Sequence, residues 1–188
     1  PSSPSLSSPP LIQNMDIKTL YTAEQIQTAV HETAARIEAH FGSEKPVIAL
    51  CLLNGAIWFA ADLLRNLPVN FELQTIRLSS YEGTESTGKL NWHNALPDCK
   101  NKHVLVIDDV LDTGLTMKEV CDTLRANGAK SVASTVAVTK NGRREHDCEA
   151  TFCALHCDNL FLVGYGLDYN EKYRNLSFVG VLSPKMYS

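Results

Sequence analysis

The sequence predicts an α/β protein: a mostly parallel, twisted sheet flanked by helices. After Pro46, short apolar runs typical of buried strands alternate with helical patterns, as in sheets covered on both faces. The chain has 188 residues, 44% of them hydrophobic, which is enough for one domain with its own core. Its formal net charge of −4 disfavours nucleic acid and anionic membranes as partners.

The first ten residues contain only Ser and Pro apart from Leu6. They predict a flexible leader over residues 1–15, a processing remnant or an expression artefact. They lack the basic and apolar regions of a signal peptide. We expect residues 16–188 to form a single domain.

The first helix is predicted from Thr22 to Phe41, where apolar residues recur at steps of three and four. Thr22 and Gln25 fit a capping box at its start, and Gly42 fits a stop signal at its end.

The remaining predicted elements alternate between strand and helix. In order, they are a strand Val47 to Leu53, a helix Ala56 to Leu67, a strand Phe71 to Leu78, a strand Val104 to Ile107, a helix Thr116 to Asn127, a strand Ser131 to Val138, and strands Thr151 to Ala154 and Leu160 to Tyr165. Ligands of such sheets bind beyond the carboxyl ends of the strands. The residues that follow each apolar run are therefore the candidates for a binding site.

The segment from Val104 to Met117 carries the clearest chemical signal, because a buried strand leads into two acids and then into Asp-Thr-Gly-x-Thr. Thr113, Gly114 and Thr116 would present N–H groups and hydroxyls at a helix N-terminus, which is a ready site for phosphate. The loop contains no Lys and no GxxxxGK[ST] pattern, so it is not a Walker-type site.

The acids beside this loop suit a sugar phosphate. Asp108 and Asp109 would repel a phosphate unless they bind hydroxyls or magnesium, so we expect them to bind ribose hydroxyls. A helix N-cap explains one acid. Three acids in the five positions from Asp108 to Asp112 exceed what capping needs.

The six cysteines are interpreted as reduced thiols in a cytoplasmic protein. Cys51 lies in an apolar run, where a free thiol behaves as a small hydrophobe. Cys148, Cys153 and Cys157 lie near His146 and His156, but the cluster has no C-x2-C pair and matches no common zinc pattern. The Arg143-Arg144 pair is too short for a nucleic-acid surface.

The D-D-x-x-D-T-G-x-T segment resembles the phosphoribosyl-pyrophosphate signature of the type I phosphoribosyltransferases. Further segments, listed here, resemble the hypoxanthine-guanine phosphoribosyltransferases in order and spacing: Leu53-Asn54-Gly55, Phe59 to Leu63, Ser80-Tyr81, Ser86 to Gly88, and Val163 to Glu171 with Arg174. The resemblance covers most of the chain from Ala49 to Gly180. It implies the type I phosphoribosyltransferase fold, with a small hood built from the N- and C-terminal segments and a flexible lid loop.

The resemblance implies purine salvage: magnesium-dependent transfer of ribose 5-phosphate from phosphoribosyl pyrophosphate to hypoxanthine and guanine, giving IMP or GMP and pyrophosphate. Asp108 and Asp109 would hold the ribose hydroxyls, and Asp112 would act at the purine N7 as general acid or base. The loop residues would bind the 5′-phosphate, namely Asp112, Thr113, Gly114, Leu115 and Thr116, with the Leu115 side chain at a variable position.

The resemblance also implies the base site. Lys140 matches the lysine that donates to the 6-oxo group, which favours hypoxanthine or guanine over adenine. Phe161 would stack on the base, Leu162 would contact its edge through the backbone, and Asp168 and its neighbours would face its C2 group. A specificity for xanthine therefore stays open.

The remaining implied roles concern pyrophosphate and magnesium. Leu53-Asn54-Gly55 would be the pyrophosphate loop, which in the family contains a non-proline cis peptide bond. Ser80, Tyr81 and Arg174 would also contact pyrophosphate. Asp108 and Asp109 would be magnesium ligands, and Asp168 would be a ligand of a second magnesium, partly through water. Asn54 departs from the many relatives that carry a basic residue at this position.

The polar stretch from Ser79 to Asn91 would be the lid. Family members are usually dimers or tetramers, and we expect a homodimer or homotetramer here. A regulator of the same fold that only senses phosphoribosyl pyrophosphate is the alternative from another functional class. Such a regulator would need an added helix-turn-helix or a basic face.

Overall fold

The computed structural model describes residues 16–42, 45–68, 70–80 and 90–186. The predicted leader, Tyr81 and most of the predicted lid lie outside the described residues. In chain order the elements are β1 (Ile17–Tyr21), α1 (Ala23–Phe41), β2 (Val47–Leu53), α2 (Ile57–Arg65), β3 (Phe71–Ser80), β4 (Leu90–Trp92), β5 (His103–Leu111), α3 (Leu115–Ala126), β6 (Ser131–Lys140), β7 (Phe152–Cys157), β8 (Leu162–Val163) and β9 (Val179–Leu182).

A six-stranded sheet with the order β4-β3-β2-β5-β6-β7 forms the centre. Five strands pair in parallel in the order β3-β2-β5-β6-β7, and β4 pairs antiparallel with β3 at one edge. This arrangement confirms the predicted α/β class with a mostly parallel sheet.

The strand β2 shows why its apolar run is continuous. Ala49 and Cys51 belong to the core cluster shared with α1 and α2. Leu50 and Leu52, on the opposite face, belong to the cluster shared with α3. Both faces of a central parallel strand are covered by helices, so every position is apolar.

The first helix begins and ends at the predicted residues. The Thr22 hydroxyl accepts a hydrogen bond from the Gln25 N–H, and the Gln25 side chain accepts one from the Thr22 N–H. This reciprocal pair is a capping box. At the other end, Gly42 adopts a φ of 77° and its N–H donates to Glu38.

A smaller, three-stranded sheet has the order β1-β9-β8, and both of its strand pairs are antiparallel. It joins a strand from the N-terminal side of the described residues to two strands from the C-terminal side. The sequence reading did not identify β1, β4 or β9, because these strands are short and carry no regular apolar alternation.

Five of the six predicted strands differ in length from the observed strands, and two of them differ by four residues or more. The strand predicted to end at Ile107 continues to Leu111, because Asp108 and Val110 stay paired with β6. Asp108 and Asp109 therefore lie within β5 rather than after it. The strand predicted from Leu160 to Tyr165 shrinks to two residues, because the chain turns at Gly164 with a φ of 92°.

Candidate active site

The loop between β5 and α3, residues 112–114, is called here the β5–α3 loop. Gly114 adopts a φ of 90°, and α3 begins directly after it at Leu115. The first N–H groups of a helix have no acceptor within the helix, so this end of α3 favours an anion. The Thr113 hydroxyl accepts a hydrogen bond from the Leu115 N–H at 3.4 Å.

A cavity of about 260 Å³ borders this loop and the end of the central sheet. Its lining includes all the predicted phosphate-site and ribose-site residues except Leu115. The lining residues are Leu52, Leu53, Gly55, Leu78, Ser79, Leu90, Asp108 to Gly114, Thr116 and Met117. The fold therefore brings the acids and the helix N-terminus to one cavity.

The carboxyl groups of Asp108 and Asp109 lie side by side in this cavity. Burial and the neighbouring Asp109 charge raise the pKa of Asp108 well above its usual value. Burial also raises the pKa of Asp109, an effect opposed by its hydrogen bonds to Asp108 and Val110 and by the charge of Arg174. Desolvated carboxylates gain from hydroxyl donors or a cation, so this pair suits either kind of ligand.

The loop after β2 packs directly on Asp109. The peptide bond between Leu53 and Asn54 is cis, as the family resemblance implies. A Cβ atom on Gly55 would lie 1.8 Å from Asp109 Oδ2, and one on Gly166 would lie 2.0 Å from the Gly55 carbonyl oxygen. Asp109, Gly55 and Gly166 are therefore stacked with no room for a side chain between them. The Asn54 residue is exposed.

Arg174 lies behind this stack with its side chain 17% exposed. It donates to the Gly166 carbonyl at 2.8 Å and pairs with Asp168 Oδ1 at 3.0 Å. The other Asp168 oxygen accepts from the Glu171 N–H at 2.9 Å. The Nε atom of Arg174 is buried without a hydrogen-bond partner among the described residues. An unpaired buried donor is unfavourable, and an anionic oxygen would satisfy it.

Asp112, the first residue of the β5–α3 loop, lies between two cations. Its Oδ2 atom is 3.3 Å from Lys140 Nζ, at the end of β6. Its Oδ1 atom is 3.0 Å from Arg143 Nε, yet no hydrogen bond is directed at it. The Lys140 side chain is only 14% exposed. The fold therefore joins the predicted acid–base residue to the predicted base-selecting lysine.

The other predicted base-site residues lie on or beside the smaller sheet. Leu162 is buried in β8. The ring of Phe161 packs edge-to-face on Tyr169, with centroids 5.6 Å apart. Neither residue lines the cavity of the acid pair.

The predicted contacts on the lid side are only partly described. Ser80 is the last residue of β3. The preceding Ser79 lines the cavity, and its hydroxyl lies 2.8 Å from His93 Nε2.

Three residues of the site neighbourhood were missed by the sequence reading. Arg143 and Arg144 contact the β5–α3 loop. The sequence feature that could have indicated this contact is their position shortly after β6, at the same end of the sheet as the loop. Asp62 accepts hydrogen bonds from Gln27 and Tyr165, each at 2.8 Å. Asp62, on α2, thereby links α1 and the turn that carries Gly166. No local sequence pattern predicts this contact.

All six cysteines are free, and burial raises the pKa of the Cys51 thiol to about 12. Within the described ranges, no group of three or more His, Cys, Asp or Glu residues is placed to hold a metal ion. No helix among these residues is long and apolar enough to cross a membrane.

The chain is similar to known proteins over most of its length. Residues 16–170 match the profile of the phosphoribosyl transferase domain. The chain is 34% identical over 181 residues to a hypoxanthine-guanine-xanthine phosphoribosyltransferase of Tritrichomonas foetus, covering 95% of this chain and 98% of the relative. It is 36% identical over 176 residues to a hypoxanthine-guanine phosphoribosyltransferase of Staphylococcus aureus, covering 92% and 98%.

Solved structures give the same result. A hypoxanthine phosphoribosyltransferase from Staphylococcus aureus superposes with a TM-score of 0.90 at 34% identity, covering 97% of this chain and 100% of that one. A variant of the Trypanosoma cruzi hypoxanthine phosphoribosyltransferase, in complex with the product IMP, superposes with a TM-score of 0.85 at 30% identity, covering 93% and 95%.

Proposed function

The chain belongs to the hypoxanthine-guanine phosphoribosyltransferase family, and from that premise we propose how its residues transfer ribose 5-phosphate from phosphoribosyl pyrophosphate to a 6-oxopurine. The enzyme acts in purine salvage, and its products are a purine nucleoside monophosphate and pyrophosphate. One observation carries the assignment of roles: the Asp108–Asp109 pair and the N-terminus of α3 border the same cavity.

The ribose 5-phosphate group would bind in that cavity. The N–H groups at the start of α3, with Thr113, Gly114 and Thr116, would hold the 5′-phosphate. Asp108 and Asp109 would accept hydrogen bonds from the ribose hydroxyls. Burial raises the pKa of both carboxyl groups, and hydroxyl donors at their oxygens would stabilise the charged form.

The base would bind beside Asp112. The bond between C1′ and pyrophosphate breaks, and a bond from C1′ to the purine N9 forms. The proton that the base loses would pass from N7 to Asp112, whose Oδ1 has no directed hydrogen bond. Lys140 has three donor hydrogens, so it can hold Asp112 Oδ2 and still donate to the 6-oxo group. Phe161, Leu162 and Asp168 are proposed to complete the base site.

The departing pyrophosphate would lie against the cis peptide of Leu53-Asn54, with Ser80, Tyr81 and Arg174 as further contacts. The unpartnered Nε atom of Arg174 supports this role. Asn54 brings no positive charge here, and Arg174 is a described residue that would offer a cation to pyrophosphate.

Magnesium fits the donor set. Asp108, Asp109 and Asp168 supply hard carboxylate oxygens, and the chain offers no protein-only cage among its described residues. Magnesium sites of this kind combine one or two carboxylates with substrate oxygens. When bound, the ion would neutralise charge on the departing pyrophosphate.

The smaller sheet is proposed to be the hood of a single domain over residues 16–188. We also propose a cytoplasmic homodimer or homotetramer. Six free thiols support a reducing compartment.

A spectrophotometric assay with hypoxanthine, guanine, xanthine and adenine tests this proposal. Each base is supplied with phosphoribosyl pyrophosphate and magnesium. Turnover of hypoxanthine and guanine but not adenine is expected. Turnover of xanthine alone would reassign the base, and binding of phosphoribosyl pyrophosphate without any turnover would favour the sensing regulator.

A further inference from the structure

The β5–α3 loop can offer N–H groups to an anion only if its carbonyl groups point away and find donors elsewhere. The Leu111 and Asp112 carbonyls both accept hydrogen bonds from Arg144, the former at 3.3 Å. The Thr113 carbonyl accepts from the N–H groups of Glu145 and His146, each at 3.0 Å. The segment after β6 therefore holds the outer side of the loop.

The Arg144 side chain is the central part of this support. It is 19% exposed and pairs with Glu149 through Nε at 3.1 Å and through a terminal nitrogen at 3.4 Å. Its Cδ atom would lie 3.1 Å from a Cβ at Gly114, so its aliphatic part packs on the loop. A planar guanidinium holds two carbonyls and a carboxylate together, which one lysine ammonium does not reproduce.

We propose that Arg144 is a positioning residue for the transfer reaction: it fixes the β5–α3 loop in the conformation that binds the 5′-phosphate. The residue acts through the loop carbonyls and does not touch the substrate. This inference rests on the proposed function, in which the loop binds the phosphate. It also gives a role to one member of the Arg143-Arg144 pair.

The test compares Arg144→Met, Arg144→Lys and the wild type. Methionine keeps an aliphatic chain of similar length and removes every donor. We expect the Kd for IMP and the KM for phosphoribosyl pyrophosphate to rise about tenfold or more. The KM for hypoxanthine at saturating phosphoribosyl pyrophosphate stays within about twofold, and Arg144→Lys is intermediate. Arg125→Met is the matched control, because the ion pair of Arg125 within the described part of the chain is with the exposed Asp122 on α3, and it leaves all three constants unchanged.

Two results would overturn the inference: unchanged IMP affinity in folded Arg144→Met, or equal weakening of IMP and hypoxanthine. If Arg144→Met does not fold, Arg144→Lys and Glu149→Gln carry the same comparison with smaller expected effects. A wild-type protein that binds neither IMP nor phosphoribosyl pyrophosphate would instead refute the proposed function.

Discussion

Replacing Gly55 with alanine adds one methyl group at the tightest point of the site. The new Cβ atom would lie 1.8 Å from Asp109 Oδ2 and 2.6 Å from Asp109 Cγ. Gly55 is not among the residues with positive φ, so alanine can adopt its backbone conformation. The effect of the substitution is therefore a steric conflict with one carboxyl group.

The conflict cannot be relieved without moving the site. The loop cannot retreat toward Gly166, because the Gly55 carbonyl already lies 2.0 Å from where a Cβ on Gly166 would be. Asp109 must then swing away from its hydrogen bond with the Val110 N–H. Overpacking of this kind costs about 1–3 kcal/mol of stability. A displacement of about 1 Å in a catalytic group costs about 10²-fold in rate.

Steady-state assays and thermal unfolding measure both effects. We expect Gly55→Ala to lose about 10²-fold in kcat/KM and to have a lower melting temperature than the wild type. In an Asp109→Ala background, where the conflicting carboxyl group is absent, adding Gly55→Ala should not lower the melting temperature further. Gly42→Ala is the control for kcat/KM alone, since a Cβ there meets nothing within 4 Å and Gly42 does not line the cavity. Its melting temperature falls for another reason, because alanine is strained at the φ of 77° that Gly42 adopts. Near wild-type kcat/KM in Gly55→Ala would refute the stacked arrangement.

Four further outcomes follow from the geometry. Asp112→Asn should lower kcat by about 10²–10⁴-fold with little change in the Kd for IMP; equal losses in both would contradict its acid–base role. Lys140→Ala should raise the KM for hypoxanthine about tenfold and weaken discrimination against adenine, and unchanged selectivity would exclude the 6-oxo contact. Chelating magnesium with EDTA should abolish turnover, and added magnesium should restore it; full activity in EDTA would remove the metal from the scheme. The raised pKa of Asp108 means that the folded state binds its proton more tightly than the unfolded state, so this group lowers stability as pH rises above about 4. Asp108→Asn should therefore raise the melting temperature of the ligand-free, metal-free protein at pH 7 and not at pH 4, as thermal scans would show.

The parts of the fold that follow local rules were predicted from the sequence. Val47 to Leu53 reads as a buried strand because both of its faces are covered, and Thr22 with Gln25 fixes the start of α1 through contacts between near neighbours. The sequence also predicted that Asp108 and Asp109 lie in one site with the N-terminus of α3, because these residues belong to one continuous segment.

The parts that depend on distant contacts were not predicted. The strand β5 was predicted to end at Ile107 because polar side chains follow that residue, whereas its pairing with β6 continues the strand to Leu111. The strand β1 has its partner in β9, far along the chain. The hydrogen bond between Tyr165 and Asp62 joins residues 103 positions apart. Such contacts leave no local periodicity for a sequence reading to detect.

A crystal structure of the protein with IMP and magnesium tests the central assignment most directly. We expect the 5′-phosphate at the N–H groups of Thr113 to Thr116 and the ribose hydroxyls at Asp108 and Asp109. The purine N7 should lie within hydrogen-bond distance of Asp112. Nucleotide bound elsewhere, with the β5–α3 loop empty, would contradict the account.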